Sequence, residues 1–210
     1  MTGRTAVIHS WKPEKTAEEL KRLIAETGAE RLVMGFPRNM DGTEGPRAAL
    51  YREFAEQKPE PRAVVVYDTM WGATDRMGRS IADGIRSTGA GVTVCGMHTK
   101  FRSDVATAVM GAGALVVGSP TLNNTLYPSI ADVLCYLKGL RPKNLIGASF
   151  GSFGWSGEAP AQAAEMLKAM NAELAEEPLK LKFASSEEDF QKCFDFGVRI
   201  GNMLLERAKK

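Results

Sequence analysis

Histidine is almost missing from this chain of 210 residues: His9 and His98 are the only two. They stand far apart and no carboxylate–histidine cluster surrounds them, which argues against a protein-built iron or zinc site. Cysteine is nearly as scarce. Cys95, Cys135 and Cys193 are odd in number, widely separated and free of C-x-x-C spacing, the pattern of reduced, buried structural thiols rather than of a disulfide framework. No apolar run approaches the ~20 residues of a membrane span, and residues 1–10 lack the apolar core of a signal peptide; a cytoplasmic location is the expectation. Neither sign of charge dominates, with 27 Lys and Arg against 25 Asp and Glu and a net charge of +2. That balance gives no strong electrostatic footprint for nucleic acid or an anionic membrane.

What the chain does have is apolar content, 44% by residue, and from residue 62 onward a regular alternation of elements. Residues 63–67 are apolar without alternation, the mark of a strand buried on both faces. Further strands are expected at 91–97, 114–118, 145–150 and 179–184. Helices are expected at 74–87, 103–110, 127–138, 158–170 and 186–209. Met77, Ile81 and Ile85 share one stripe of the first helix, and Ile130, Val133, Leu134 and Leu137 share one stripe of the third. The last helix opens on a serine cap with acidic residues in its first turn. Strands alternating with helices make a five-stranded parallel sheet, doubly wound, flavodoxin-like, with strand order 2-1-3-4-5. A smaller βαβα segment precedes it, with strands at 5–9 and 31–36 and helices at 16–27 and 46–57. The stiff run Lys58-Pro59-Glu60-Pro61 is the expected boundary, dividing the chain into residues 1–61 and 62–210.

Three polar loops follow the first, third and fourth strands of the larger unit, which that strand order makes neighbours. The first is Thr69, Met70, Trp71, Gly72, Ala73 and Thr74. Its hydroxyls, backbone N–H groups and following helix suit a phosphate, although alone it fits a plain strand-to-helix turn with a threonine cap equally well. It lacks the lysine of an ATP-type P-loop. The second is Ser119, Pro120, Thr121, Leu122, Asn123 and Asn124, stiffened by its proline. Its amides suit ribityl hydroxyls and a flavin's polar edge; alone it reads as an asparagine-rich turn. The third runs from Phe150 to Glu158 and contains Ser152, Phe153, Gly154, Trp155 and Gly157. Its glycines let backbone approach a flat ligand, and Trp155, or Trp71, can cover a ring face, though a lone tryptophan also fits a core or an interface. Glu158 also fits as a first-turn helix carboxylate. Gly111-Ala112-Gly113 precedes its strand and so is no dinucleotide fingerprint. Together the loops describe a pocket for a flat ring with a phosphate tail, the shape of FMN.

Residues 63–207 resemble the C-terminal flavodoxin-like domain of flavodiiron proteins (A-type flavoproteins). The resemblance is carried by residues 67–74 (YDTMWGAT), 118–124 (GSPTLNN), 136–144 (YLKGLRPKN) and 150–158 (FGSFGWSGE). It implies an FMN site in which Thr69–Thr74 hold the phosphate, Ser119–Asn124 line the ribityl chain and ring, and Ser152–Gly157 wrap the ring. In that family the flavin passes electrons to a diiron centre, in a preceding domain, that reduces oxygen or nitric oxide, and a head-to-tail dimer joins the two sites. Residues 1–61 are too short for that domain and lack its histidine- and carboxylate-rich motif, so no catalytic or metal-ligating residue is expected in these 210. Instead, residues 33–47 (VMGFPRNMDGTEGPR) resemble the middle of Holliday-junction-resolvase-like, ribonuclease-H-fold proteins. That family's opening aspartate-bearing strand is missing, and its next strand overlaps Val64–Asp68. Since that strand already has two neighbours, the N-terminal strands are expected at a sheet edge or in a separate unit.

The functional expectation is an FMN-binding electron-transfer module with a redox-protein donor and acceptor, such as a rubredoxin-type protein or a separate diiron protein; the resemblance allows a homodimer. An NAD(P)H-dependent flavin or quinone reductase is the enzyme alternative. A nucleic-acid-associated or scaffold protein is the third, cued by Arg31, Arg38, Arg47 and Arg52, which read more simply as a solvated face.

Overall fold

Five consecutive apolar residues cannot alternate between core and solvent, and the strand they form is covered on both sides. In the computed structural model, which describes residues 60–184 and 186–209, β1 (Glu60–Tyr67) sends Ala63, Val65 and Tyr67 into one core and Val64 and Val66 into another. The expected strands and helices before residue 58, His9 and the four arginines lie outside the described residues.

After β1 come α1 (Ala73–Ser87), β2 (Gly91–Gly96), α2 (Arg102–Val109), β3 (Ala112–Gly118), β4 (Thr121–Leu122), β5 (Thr125–Leu126), α3 (Pro128–Leu140), β6 (Ile146–Phe153), α4 (Ala159–Ala169), β7 (Glu173–Leu174), β8 (Leu179–Lys182) and α5 (Glu187–Lys209). The main sheet is parallel and ordered β2-β1-β3-β6, with β7 and then β8 pairing successive stretches of the outer edge of β6. Helices α1 and α5 cover one face, and α2, α3 and α4 the other. The expected apolar stripes are the buried ones: Met77, Ile81 and Ile85 on α1, and Ile130, Val133, Leu134 and Leu137 on α3. The start of α5 is a reciprocal capping box. Ser186 Oγ accepts the Asp189 N–H at 3.1 Å, and the Asp189 carboxylate accepts the Ser186 N–H at 3.2 Å.

The structure departs from the expected elements in four places. β1 reaches back to Glu60, whose N–H donates to the Gly111 carbonyl at 2.8 Å, so Glu60 and Pro61 belong to the sheet rather than to a linker. Pro61 has no N–H to give, and the β1–β3 register shifts between Glu60 and Ala63. β6 continues through Phe153 because β8 pairs with Phe150–Phe153, so the third loop starts at Gly154 rather than Phe150. The fifth position holds two short strands, β7 beside Ile146–Gly147 and β8 beside Phe150–Phe153. Finally, Cys95 and Cys193 are buried, and burial pushes the Cys193 thiol up to about 12, but Cys135 is exposed.

Candidate functional site

In a doubly wound sheet the connections leave in opposite directions at one point, and a crevice opens there beyond the carboxyl ends of the strands. Here that point lies between β1 and β3. A cavity of about 590 Å³ opens there, within the ~300–1,000 Å³ usual for small-molecule sites. It is lined by Thr69, Met70, Trp71 and Ala73 after β1, by Pro120–Asn124 after β3, by Ser152–Ser156 at the end of β6, and by Phe183 after β8.

The turn after β1 is held tightly. Asp68 is buried; its Oδ1 accepts the Thr69 N–H at 2.8 Å and its Oδ2 accepts the Ser129 hydroxyl. Thr69 Oγ1 accepts the Gly72 N–H at 3.0 Å, so the single Thr69 hydroxyl proton is left for something else. Gly72 stands at φ 86°, ψ −13°, a left-handed conformation that a side chain would disfavour. It is the N-cap of α1 and, having no side chain, makes no capping hydrogen bond, and among the described residues no side chain bonds the N–H groups that follow it. The positive end of the helix dipole is thus left at the cavity wall, a ready anion site.

A carboxylate in that first turn would repel an anion, and Asp75 is one. Its charge is matched on the spot: Arg79 Nε donates to Oδ2 at 2.9 Å and the Tyr67 hydroxyl donates to Oδ1. The Arg79 hydrogen bond holds Asp75 below the usual carboxylate range. Tyr67 is pushed up to about 12, by burial first and then by the hydrogen bond and charge of Asp75.

The second loop is a hairpin. β4 and β5 pair antiparallel, Thr121 with Leu126 and Leu122 with Thr125, around Asn123 at φ 49° and Asn124 at φ 61°. Two successive left-handed residues suit a two-residue hairpin turn, and asparagine tolerates that conformation best after glycine. Gln162 of α4 clamps it: its Oε1 accepts from Thr125 Oγ1 at 2.8 Å and the Leu126 N–H at 3.1 Å, and its Nε2 donates to the Asn124 carbonyl at 3.2 Å.

The loop after β6 has fewer bonds. Ser156 Oγ donates to Asn124 Oδ1 at 3.1 Å, and the Gly157 N–H donates to the Glu158 carboxylate at 2.9 Å. Glu158 stands at the N-cap of α4. The cavity rim is aromatic and open: Trp71 is 92% exposed, Trp155 90% and Phe183 63%.

Thirteen of the sequence-predicted residues line the cavity, and four do not. Gly72 shapes the turn from behind, and Gly157 takes a positive φ of 111° at the far end of its loop. Ser119 is fully buried, donating to the Pro120 carbonyl at 2.9 Å and accepting the Tyr127 N–H at 3.0 Å, and so closes the base of the hairpin. Thr74 is also fully buried, its hydroxyl 3.0 Å from that of Ser152. Gly151, expected to approach a ligand, instead lets two protein segments meet: a Cβ there would stand 2.0 Å from the Ser119 carbonyl oxygen. Sequence reasoning placed Ser156 only within the ring-wrapping stretch 152–157 without singling it out, and missed Phe183 and the clamp Gln162. Phe183 was findable, since every strand of a parallel sheet ends on the ligand side and Phe183 directly follows β8.

A Flavodoxin family model matches residues 65–197 and a Holliday junction resolvase model matches residues 2–67. The rubredoxin-oxygen oxidoreductase of Megalodesulfovibrio gigas is 42% identical over 154 residues, covering 73% of this chain and 38% of that protein. The solved rubredoxin oxygen:oxidoreductase of Desulfovibrio gigas superposes with a TM-score of 0.72 at 32% identity, over 93% of this chain and 49% of its own. A solved flavodoxin from the domain Archaea superposes with a TM-score of 0.62 at 30% identity, over 69% of this chain and 99% of its own. The chain thus spans about two fifths of the length of the curated relatives it matches. Its sheet order, the cavity where that order reverses and the family match over residues 65–197 agree: the chain belongs to the flavodoxin family, which implies FMN as its cofactor.

Proposed function

We propose that this chain is an electron-transfer module that binds FMN in the cavity above β1, β3 and β6. The observation that carries the reading is the meeting of an uncapped helix start and an aromatic rim in one cavity. These are the two chemistries an FMN molecule presents, an anion at one end and a flat ring at the other. The donor set fits the group. The turn after β1 takes the phosphate with the Thr69 hydroxyl and the first N–H groups of α1. The Asn123–Asn124 hairpin and Ser152 bond the ribityl chain and the polar ring edge. Trp155 packs on the ring, with Trp71 and Phe183 at its margin. When bound, FMN accepts a hydride or single electrons and releases electrons one at a time.

The protein's part is to bind, orient and partly shield that group while leaving an edge open for a partner. Relatives named for rubredoxin, oxygen and nitric oxide support a rubredoxin-type donor, a solved flavodiiron protein at 32% identity supports a diiron-type acceptor, and the exposed rim of Trp71 and Trp155 supports docking beside the ring. The test is one spectrum: purified protein, as isolated or after adding FMN, absorbs near ~450 nm with one FMN per chain and bleaches on anaerobic reduction. A colourless protein that takes up no added FMN overturns the reading.

A further inference from the structure

Residues 136–144 carry part of the resemblance, yet none of them borders the cavity above β1, β3 and β6. They border a second one. A cleft of about 820 Å³ lies where the chain leaves α3 for β6 and α4 for β7, at the opposite end of the strands. Lys138, Arg141 and Lys143 line it, with Asn171 and the apolar side chains of Pro142 and Met170, and no carboxylate does so among the described residues. The acids near it in sequence are already committed. Asp132 pairs with Arg102 at 2.6 Å, Glu165 with Lys168 at 2.8 Å, and Glu173 with Arg207. The three cleft cations are exposed, and among the described residues none makes an ion pair or a side-chain hydrogen bond.

A cation in the last turn of a helix complements its dipole, which accounts for Lys138. It does not account for Arg141 and Lys143, which follow the end of α3 at Leu140. Arg141 stands at φ 51°, ψ 57°, a left-handed conformation that favours glycine or asparagine. Asn144 at φ 57° and Asn171 at φ 61° meet that preference, and Arg141 does not. An arginine held in a costly conformation among like charges points to a use for its side chain. The loop is also pinned: Arg207 Nη1 of α5 donates to the Asn144 carbonyl at 3.2 Å, fixing the backbone beside Lys143.

We propose that this cleft binds a chain of two or more phosphates, free or carried by a nucleotide. Three cations in one cleft match several negative charges rather than one. The Arg141 fork suits two phosphate oxygens at once, and the lysines act as point charges. Pro142 and Met170 give a base an apolar wall. The site is separate from the FMN cavity and does not depend on that reading.

Calorimetric titration of the full chain with tripolyphosphate and with ATP tests it. Tripolyphosphate should bind, and its affinity should fall at least about threefold between about 50 and about 200 mM NaCl as the charges are screened. R141A should weaken it about 5- to 20-fold, the worth of a charge-assisted hydrogen bond at an exposed site. R141G should weaken it equally while Tm holds or rises, because glycine relieves the left-handed conformation. K180A/K182A, which removes two exposed lysines from β8, should bind as wild type. ATP binding tighter than tripolyphosphate identifies a nucleotide; ATP binding no tighter identifies the phosphate chain alone. The inference fails if tripolyphosphate does not bind at the lower salt, if R141G binds as wild type, or if K180A/K182A loses as much as R141A. It also fails if T69V abolishes binding, which would put the anion at the start of α1. Protein that takes up no FMN overturns only the cofactor reading and leaves this result standing.

Discussion

The turn after β1 and the loop after β6 border the same cavity and are built in opposite ways. The turn is over-determined. Thr69 bonds both Asp68 and Gly72, Asp68 is tied to Ser129, and the helix that follows is anchored to β1 through the bond between Asp75 and Tyr67, with Arg79 of the same helix on the other carboxylate oxygen. The loop is held by one bond between neighbours, Gly157 to Glu158, and one across to Asn124 of the hairpin, and it carries a tryptophan almost fully in solvent. A point charge needs donors fixed in place, because electrostatic stabilisation falls when dipoles must reorganise. A flat apolar ring needs area rather than aim, and a lightly held aromatic can settle on it. On the proposed reading, the turn would meet the phosphate end of the cofactor and the loop its ring.

The strongest way to break that assignment is to remove the hydroxyl that the turn spares for the anion. T69V should weaken FMN about 10- to 100-fold, the worth of a hydrogen bond to a charged group, while riboflavin, which lacks the phosphate, loses little. Equal losses for both ligands would put the anion elsewhere. At the other end, W155A should weaken FMN and riboflavin alike, about 2- to 10-fold, with almost no change in thermal stability because Trp155 buries so little. A large drop in Tm would show that the loop is structural after all.

The support beneath the turn has a pH signature. Tyr67 is raised in the folded state from 10.0 to about 12, so the folded protein holds that proton where the unfolded chain gives it up. The stabilisation is complete below pH about 10 and is lost as pH rises toward about 12. Cys193, raised from 9.0 to about 12, adds a loss of the same sign beginning near pH 9. Denaturant unfolding from pH 8 to 12 should show the decline, and Y67F should make it shallower; an unchanged slope in Y67F would remove Tyr67 from the account. The smallest effect is expected at the hairpin clamp. Q162A should cost FMN binding only about two- to fivefold while speeding amide exchange in residues 121–126, since each lost neutral bond is worth about 1 kcal/mol and water replaces part of it.

The sheet order was legible because residues 63–67 of β1 are apolar without alternation, the pattern of a strand covered on both faces. The cavity walls were legible because loops after neighbouring strands must meet. The sequence did not carry the extension of β6 to Phe153, which depends on β8 arriving beside it, a pairing set by residues about 30 positions on. Nor did it show that Thr74 and Ser119 face inward while Trp71 and Trp155 face out. Turn residues have no periodicity, so which way each side chain points is settled only when the chain closes around it. Gln162 was hidden for a related reason. It sits in an ordinary helix, and the three groups it bonds lie 36 to 38 residues upstream.

β1 is claimed twice. The flavodoxin model begins at residue 65 and the resolvase model ends at residue 67, so both include the same short stretch of backbone. Yet β1 pairs with β2 from Arg62 to Tyr67 and with β3 from Ala63 to Tyr67, which leaves no edge for a third strand. When two ancestries meet on one strand, its hydrogen bonds can satisfy only one of them, and here the flavodoxin sheet holds both sides. For anyone recombining such genes, the seam is therefore not a neutral hinge: a crossover within 62–67 must keep the side-chain alternation that fills both cores, whichever parent supplies the letters.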